Sequence, residues 1–187
     1  MSEITVRVLG VEDWQQYRAA RLDALQESPS AFPVTYEEEA AADEASWRAR
    51  MSRSYRFVAE REGRVVGVVS LGHDPLDPES ADVFGLYVSP DARSTGVSWR
   101  LVQAAAQQAR ADGCREVSYW VGTENARAIA FAANFGFRPA GERRPSRSRN
   151  AEYGEQEVAM ILSLEADPGS VPNPNRERVT SREGPLR

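Results

Sequence analysis

Leu86-Tyr87-Val88-Ser89-Pro90-Asp91-Ala92-Arg93-Ser94-Thr95-Gly96-Val97-Ser98 is the stretch on which the reading of this chain turns. An apolar strand runs to Val88, Ser89-Pro90-Asp91 stops it, and small residues open a long helix over 95–112, with Val97, Leu101, Ala104 and Ala105 on one face. A helix start carries unpaired backbone N–H groups and the positive end of the helix dipole. Small side chains let an anionic group approach them, so the segment reads as a phosphate or pyrophosphate cradle. One Gly with two hydroxyl residues is also what an ordinary N-cap requires. The segment alone leaves both readings open.

Strand patterns precede the loop. Residues 55–60 and 64–71 face each other across the Glu62-Gly63 turn signal, and 81–88 follows a loop holding Pro75 and Pro78. Nearer the start, Ile4 to Leu9 alternates apolar and polar, and Val11, Trp14, Arg18, Leu22 and Leu25 recur at helical spacing to about Ser28. Pro29 and Pro33 break the chain, and 37–52 reads as one second helix with Trp47 and Met51 four apart. Beyond the loop, Gly113 caps the long helix, 115–121 is a strand, 125–135 is a helix ended by Gly136, and strands begin at Phe137 and Glu157. The order is strand, two helices, three strands, helix, strand, helix, two strands. That is an α/β fold of the α+β type, with helices packed on a mostly antiparallel sheet.

Residues 1–165 form one domain on this reading. Over 166–187 the prolines Pro168, Pro172, Pro174 and Pro185 stand among almost no apolar side chains, so this tail is expected to be disordered. Composition excludes much chemistry. All 23 basic residues are Arg, and Cys114 and His73 are the single Cys and the single His. Without Lys there is no Walker-type phosphate loop and no Schiff base. One His and one Cys cannot close a zinc site, so no metal is expected, and no intrachain disulfide can form. A net charge of -5 argues against a nucleic-acid partner. No apolar run reaches a membrane span, and Met1 to Thr5 is no signal-peptide start, so a soluble cytoplasmic protein is the expectation.

The motif around Gly96 resembles the acyl-CoA-binding motif of the Gcn5-related N-acetyltransferases (GNAT): Gln or Arg, two residues, Gly, one residue, Gly or Ala. Arg93, Gly96 and Ser98 fall on it behind the lead-in Val88 and Pro90, with Ser98 in place of the final Gly or Ala. A second block, Asn125 with Ala128 three later and then Gly136-Phe137, is similar to the family's C-terminal helix. The resemblance spans nearly all of the chain except the tail. It implies a central mixed, mostly antiparallel six- to seven-stranded sheet with about four helices, and acetyl-CoA as co-substrate. The implied reaction is direct acetyl transfer in a ternary complex to a primary amine of a small molecule or peptide. The alternative is a non-catalytic acyl-CoA-binding or sensing module. A homodimer is the family-level expectation.

By the same resemblance, Leu86, Tyr87 and Val88 offer backbone contacts to the cofactor, and Arg93, Ser94, Thr95, Gly96, Val97 and Ser98 cradle its phosphates. Asn125 either contacts the pantetheine or caps its helix. Many members carry a proton-donating Tyr where this chain has Ala132. Tyr119, Tyr87 or a water could serve instead, or the thiolate leaves unaided. Asp82 stands where many members carry a carboxylate and is the expected general base, with His73 the other candidate. Asp82 equally reads as a surface strand start, and Cys114 as a buried filler. Two charge clusters point to opposite acceptors. Glu37, Glu38, Glu39, Asp43 and Glu44 suit a cationic amine, whereas Arg138, Arg143, Arg144, Arg147 and Arg149, expected in the loop between the last two strands, suit an anionic one.

Overall fold

A computed structural model describes residues 3–148 and 151–165. Seven strands, β1 (Ile4–Leu9), β2 (Tyr55–Arg61), β3 (Arg64–His73), β4 (Ser80–Val88), β5 (Glu116–Gly122), β6 (Arg138–Pro145) and β7 (Gln156–Ser163), form one sheet in the order β1-β2-β3-β4-β5-β7-β6. Every neighbouring pair is antiparallel except β4 and β5. That parallel pair needs a crossover, which α4 (Val97–Ala111) supplies. The remaining helices are α1 (Trp14–Glu27), α2 (Tyr36–Ala40), α3 (Glu44–Arg53) and α5 (Ala126–Phe135). Residues 166–187, expected to be a disordered tail, lie outside the described residues.

Side chains alternate across a strand, so the sheet has two distinct faces. Phe57, Val69, Leu71, Ala81, Val83 and Val117 form the main core with Val97, Leu101, Val102, Ala105 and Ala109 of α4, and with α5. Leu9, Val58 and Val68 occupy the opposite face under Tyr17 of α1 and Trp47 and Met51 of α3. Trp47 is wholly buried, with its ring edge-on to Tyr17 at 5.9 Å.

Two expectations need correction. The stretch 37–52 is two helices, not one. Thr35 and Glu38 form a reciprocal capping box at the start of α2, and the Asp43 side chain accepts from Ser46 N–H to start α3. Each cap satisfies orphan N–H groups that a continuous helix would have paired, so two short helices compete well with one long one. The arginines between the last two strands also differ. Arg138, Arg143 and Arg144 lie within β6, an edge strand, and not in a loop. Arg149 lies outside the described residues.

Helix α4 rests close on β3. A Cβ on Gly67 would come within 2.8 Å of Val97 Cγ1, 3.0 Å of Leu101 Cδ1 and 3.1 Å of the Tyr87 carbonyl oxygen. Gly67→Ala is therefore expected to push the first turn of α4 outward, at a cost of about 1–3 kcal/mol. Calorimetry should show Tm lower by several degrees, and an unchanged Tm would mean that this close approach is not real.

Candidate functional site

Strands β4 and β5 pair only over Ser80–Val83 with Glu116–Tyr119, although β4 continues to Val88 and β5 to Gly122. Past Val83 and Tyr119 the two part, leaving the β5-facing edge of β4 from Phe84 to Val88 without a strand partner. On its other edge β4 carries a bulge: Val68 pairs with Tyr87 but Ser70 with Phe84, so Gly85 and Leu86 both stand opposite Val69. Gly85 takes the left-handed backbone at φ +64°, which favours Gly. The extra residue reverses the alternation. Leu86 and Val88 thereby join the α4–α5 core, and Tyr87 packs toward α1.

Beyond β4, a 3-10 turn at Pro90–Ala92 leads into Arg93–Gly96, where Ser94 and Gly96 both have positive φ (64° and 85°). This double left-handed turn throws the backbone open, and a Cβ at Gly96 would meet nothing within 4 Å. The expected helix start at 95 moves to Val97, since Gly96 at positive φ is the N-cap. The first backbone hydrogen bond into α4 runs from Arg100 N–H to Gly96 C=O at 3.1 Å. Among the described residues, the N–H groups of Ser94 to Trp99 thus have no acceptor, and they sit at the positive end of a 15-residue helix. Such an array binds an anion.

Arg93 is held away from that role. Its Nε donates to the Val88 carbonyl at 3.1 Å, and Nη2 meets Glu27 Oε2 at 2.8 Å. Thr95 Oγ1 donates to Ala92 C=O at 2.5 Å. Arg61 and Arg64 grip Asp91 from the β2–β3 hairpin. These contacts brace the loop, and the free anion donors are its backbone.

Asp82, Leu86, Tyr119 and Asn125 line one open cavity of about 1240 Å³. Tyr87, Val88 and residues 93–98 are not part of its wall. Asp82 and Tyr119 approach it from opposite faces of the sheet. Asp82 pairs in register with Ser118, whose side chain hydrogen-bonds it, whereas Tyr119 is one residue on and packs against the α4–α5 core, edge-on to Phe137 at 6.1 Å. Burial raises the Asp82 carboxyl above its ordinary value, partly opposed by the Ser118 hydrogen bond and the charge of Arg144. Burial also pushes the Tyr119 phenol up, so at neutral pH it keeps its proton.

The other candidates have settled placements. Asn125 caps α5, its Oδ1 accepting from Ala128 N–H at 3.0 Å. Ala132 is wholly buried in the core. His73 sits 3.1 Å from Asp112 at the cavity rim. Cys114 is buried, with its thiol pushed up by that burial. The acidic cluster is largely spent: Glu44 bonds Arg48 at 2.6 Å, Glu38 and Asp43 cap helices, and Glu39 is buried against Arg50.

The sequence reading singled out none of Arg21, Arg50 and Arg56, yet all three line the cavity. A signal was present in Arg56, a charge inside the apolar run Tyr55-Arg56-Phe57-Val58. Its cross-strand partner Ser70 is likewise polar in an apolar strand.

No helix among the described residues is long and apolar enough to cross a membrane. The chain resembles an "Uncharacterized N-acetyltransferase" of Methanocaldococcus jannaschii, 33% identical over 95 residues, 49% of this chain and 42% of that protein. It thus spans less than half the length of that relative. In fold it is similar to an N-acetyltransferase of Staphylococcus aureus Mu50, with a TM-score of 0.67 and 22% identity over 88% of this chain and all of that one. It is also similar to a Salmonella typhimurium protein described as an acetyltransferase with its cofactor acetyl-CoA, with a TM-score of 0.66 and 20% identity over 91% of this chain and all of that one. Residues 21–137, which run from α1 through the open helix start to the Gly136-Phe137 pair, match the model of the acetyltransferase (GNAT) family, and the chain belongs to that family.

Proposed function

We propose that this protein transfers an acetyl group from acetyl-CoA to a primary amine of a small molecule or peptide, by direct attack within a ternary complex. The observation that carries this reading is continuity. The unpaired edge of β4 over Phe84–Val88 leads within a few residues to the free N–H groups of Ser94–Trp99. An extended ligand with an amide-bearing arm and a pyrophosphate needs those two surfaces in succession. The pyrophosphate rests on the helix start, and the arm runs along β4 through the backbone of Leu86, Tyr87 and Val88. The thioester then lies where β4 and β5 part.

The acceptor enters from the α1–α3 face, where the Asp82 carboxylate accepts a proton from the ammonium, directly or through water, and frees the nitrogen lone pair. That lone pair forms the new C–N bond as the carbonyl π pair moves onto oxygen. The adduct nitrogen gives its second proton to solvent, the carbonyl re-forms, and the C–S bond breaks with its electrons on sulfur. Tyr119 stands on the opposite face, where the thiolate departs, with its phenol proton retained. Holding both reactants in one gap supplies the proximity term. With Ala132 buried in place of a donor, proton delivery to sulfur falls to Tyr119 or to solvent.

Calorimetric titration with acetyl-CoA, joined to free-thiol release across a broad panel of amines, tests the reading. Micromolar binding with amine-dependent thiol release is expected. Binding without release on any amine would favour a sensing module, and no binding would dismiss both.

A further inference from the structure

The cavity wall on the α1–α3 face holds more buried positive charge than it neutralises. Arg56 of β2 is only 7% exposed. Its Nη1 donates to Ser70 Oγ and its Nη2 to the Arg50 carbonyl at 3.3 Å, while Nε is buried without an acceptor. The guanidinium contacts two rings, with Cζ 4.8 Å from the Tyr17 centroid and 5.4 Å from that of Phe84. No carboxylate reaches it among the described residues. Arg21, Arg50 and Arg53, all cations, act against its charge, and the Tyr17 phenol opposes them.

Arg21 of α1 adds to this excess. Its side chain is 16% exposed, and Cζ lies 4.3 Å over the Phe32 ring. Nη2 stands 3.9 Å from Glu39 Oε1, but the other oxygen of Glu39 belongs to Arg50. One buried carboxylate therefore serves two arginines, and Arg56 has none. Leaving a buried cation without a counter-charge is costly, and an anion in the cavity removes that cost. The place is marked by Gly85. A Cβ built there would meet Ser70 Oγ at 3.8 Å and Arg21 Nη1 at 3.9 Å, and that Nη1 has no hydrogen-bond acceptor among the described residues. The anion site thus adjoins the bulge where β4 and β5 part.

We infer that the acceptor is a small amine carrying a carboxylate, of the amino-acid class, whose carboxylate is held by Arg21 and Arg56 while its amine faces Asp82. This rests on the transferase reading and sharpens its substrate. A carboxylate suits this place because arginine forks match carboxylates in two-point fashion, which a point-like anion partner does not need. The arrangement also chooses between the two charge clusters. The acidic one is consumed by caps and by arginines, so the cavity favours an anion and not a second cation.

Two measurements test it. In the first, sodium propionate at tens of millimolar, against sodium chloride of equal ionic strength, should raise Tm by a few degrees, and propionamide should not. Arg21→Gln should lose that rise, and because Arg21 is less buried than Arg56 this variant remains informative even if Arg56→Gln fails to fold. An equal response to propionate and propionamide, or a rise retained in Arg21→Gln, would each overturn the carboxylate site, as would a larger rise with sodium phosphate that Arg21→Gln abolishes, since phosphate bound at the α4 start would not depend on Arg21. In the second, thiol release from acetyl-CoA is followed with free amino acids and their carboxamides. The best free acid should exceed its amide about 100-fold in kcat/KM, and Arg21→Gln should collapse that ratio through KM. An amide turned over as well as its acid would overturn the inference and leave the transferase standing. Loss of acetyl-CoA binding together with an intact propionate response would do the reverse.

Discussion

Gly96→Trp is expected to abolish measurable acetyl-CoA binding, at least 100-fold in Kd, in a protein that remains folded. Two properties of the position produce that combination. A Cβ at Gly96 meets nothing within 4 Å, so the indole enters open space and displaces no core residue. That open space is also where a pyrophosphate must sit to reach the N–H groups of Ser94–Trp99. The backbone cost is modest, because holding a non-Gly residue at φ +85° takes about 1–3 kcal/mol. Gly96→Ala carries the same backbone strain without the bulk and serves as the control. It should lose a few degrees in Tm and bind far better than the Trp variant. Calorimetric titration reads the affinity and circular dichroism the fold. A Trp variant with unchanged affinity would remove this turn from the cofactor site.

Asp82→Asn is expected to slow acetyl transfer by about 100-fold or more, the scale of a lost general base. The pH profile separates this from a structural effect. In the parent, kcat/KM should rise with pH as Asp82 ionises. Burial holds that carboxyl above its ordinary 3.8, so the rise falls at higher pH than a solvated Asp would give. The Asn variant should lack that limb. Stability should move the other way. The folded chain holds the Asp82 proton to higher pH than the unfolded chain does, so ionising this residue costs stability. The cost sets in above the unfolded value, grows through the folded value, and is constant beyond it. Asn never ionises, so at neutral pH the variant should melt slightly above the parent, and below pH 3.8 the difference should vanish. A variant with the parent's acid limb would exclude Asp82 as the base.

Gly96 and Arg56 differ in how visible they are from the sequence. Gly96 stands out because a turn at positive φ must be Gly or pay for it, and the small residues around it have a local cause. The caps are local in the same way: Asn125 over α5 and Gly113 after α4 act on neighbours within a few residues. Arg56 was opaque because its role depends on Ser70, Tyr17 and Phe84, which come from three other elements. The second helix misled because Glu38 and Asp43 read equally well as helix surface or as caps, and only chain direction distinguishes them.

The order of the seven strands and the small-residue opening of the long helix were therefore legible in the sequence alone, since periodicity, turn residues and caps act over short range, whereas the parallel pairing of β4 with β5 across α4 was not. Which side of the sheet each functional group faces was decided only by the tertiary structure. The bulge at Gly85 reverses the alternation along β4, and the register of β4 with β5 puts Asp82 beside Ser118 and Tyr119 on the far face. Inter-strand register depends on residues some 36 positions apart in the chain, as for Asp82 and Ser118. The balance of buried charge around Arg56 belongs to the same category, because an ion pair and its absence are both properties of the folded neighbourhood.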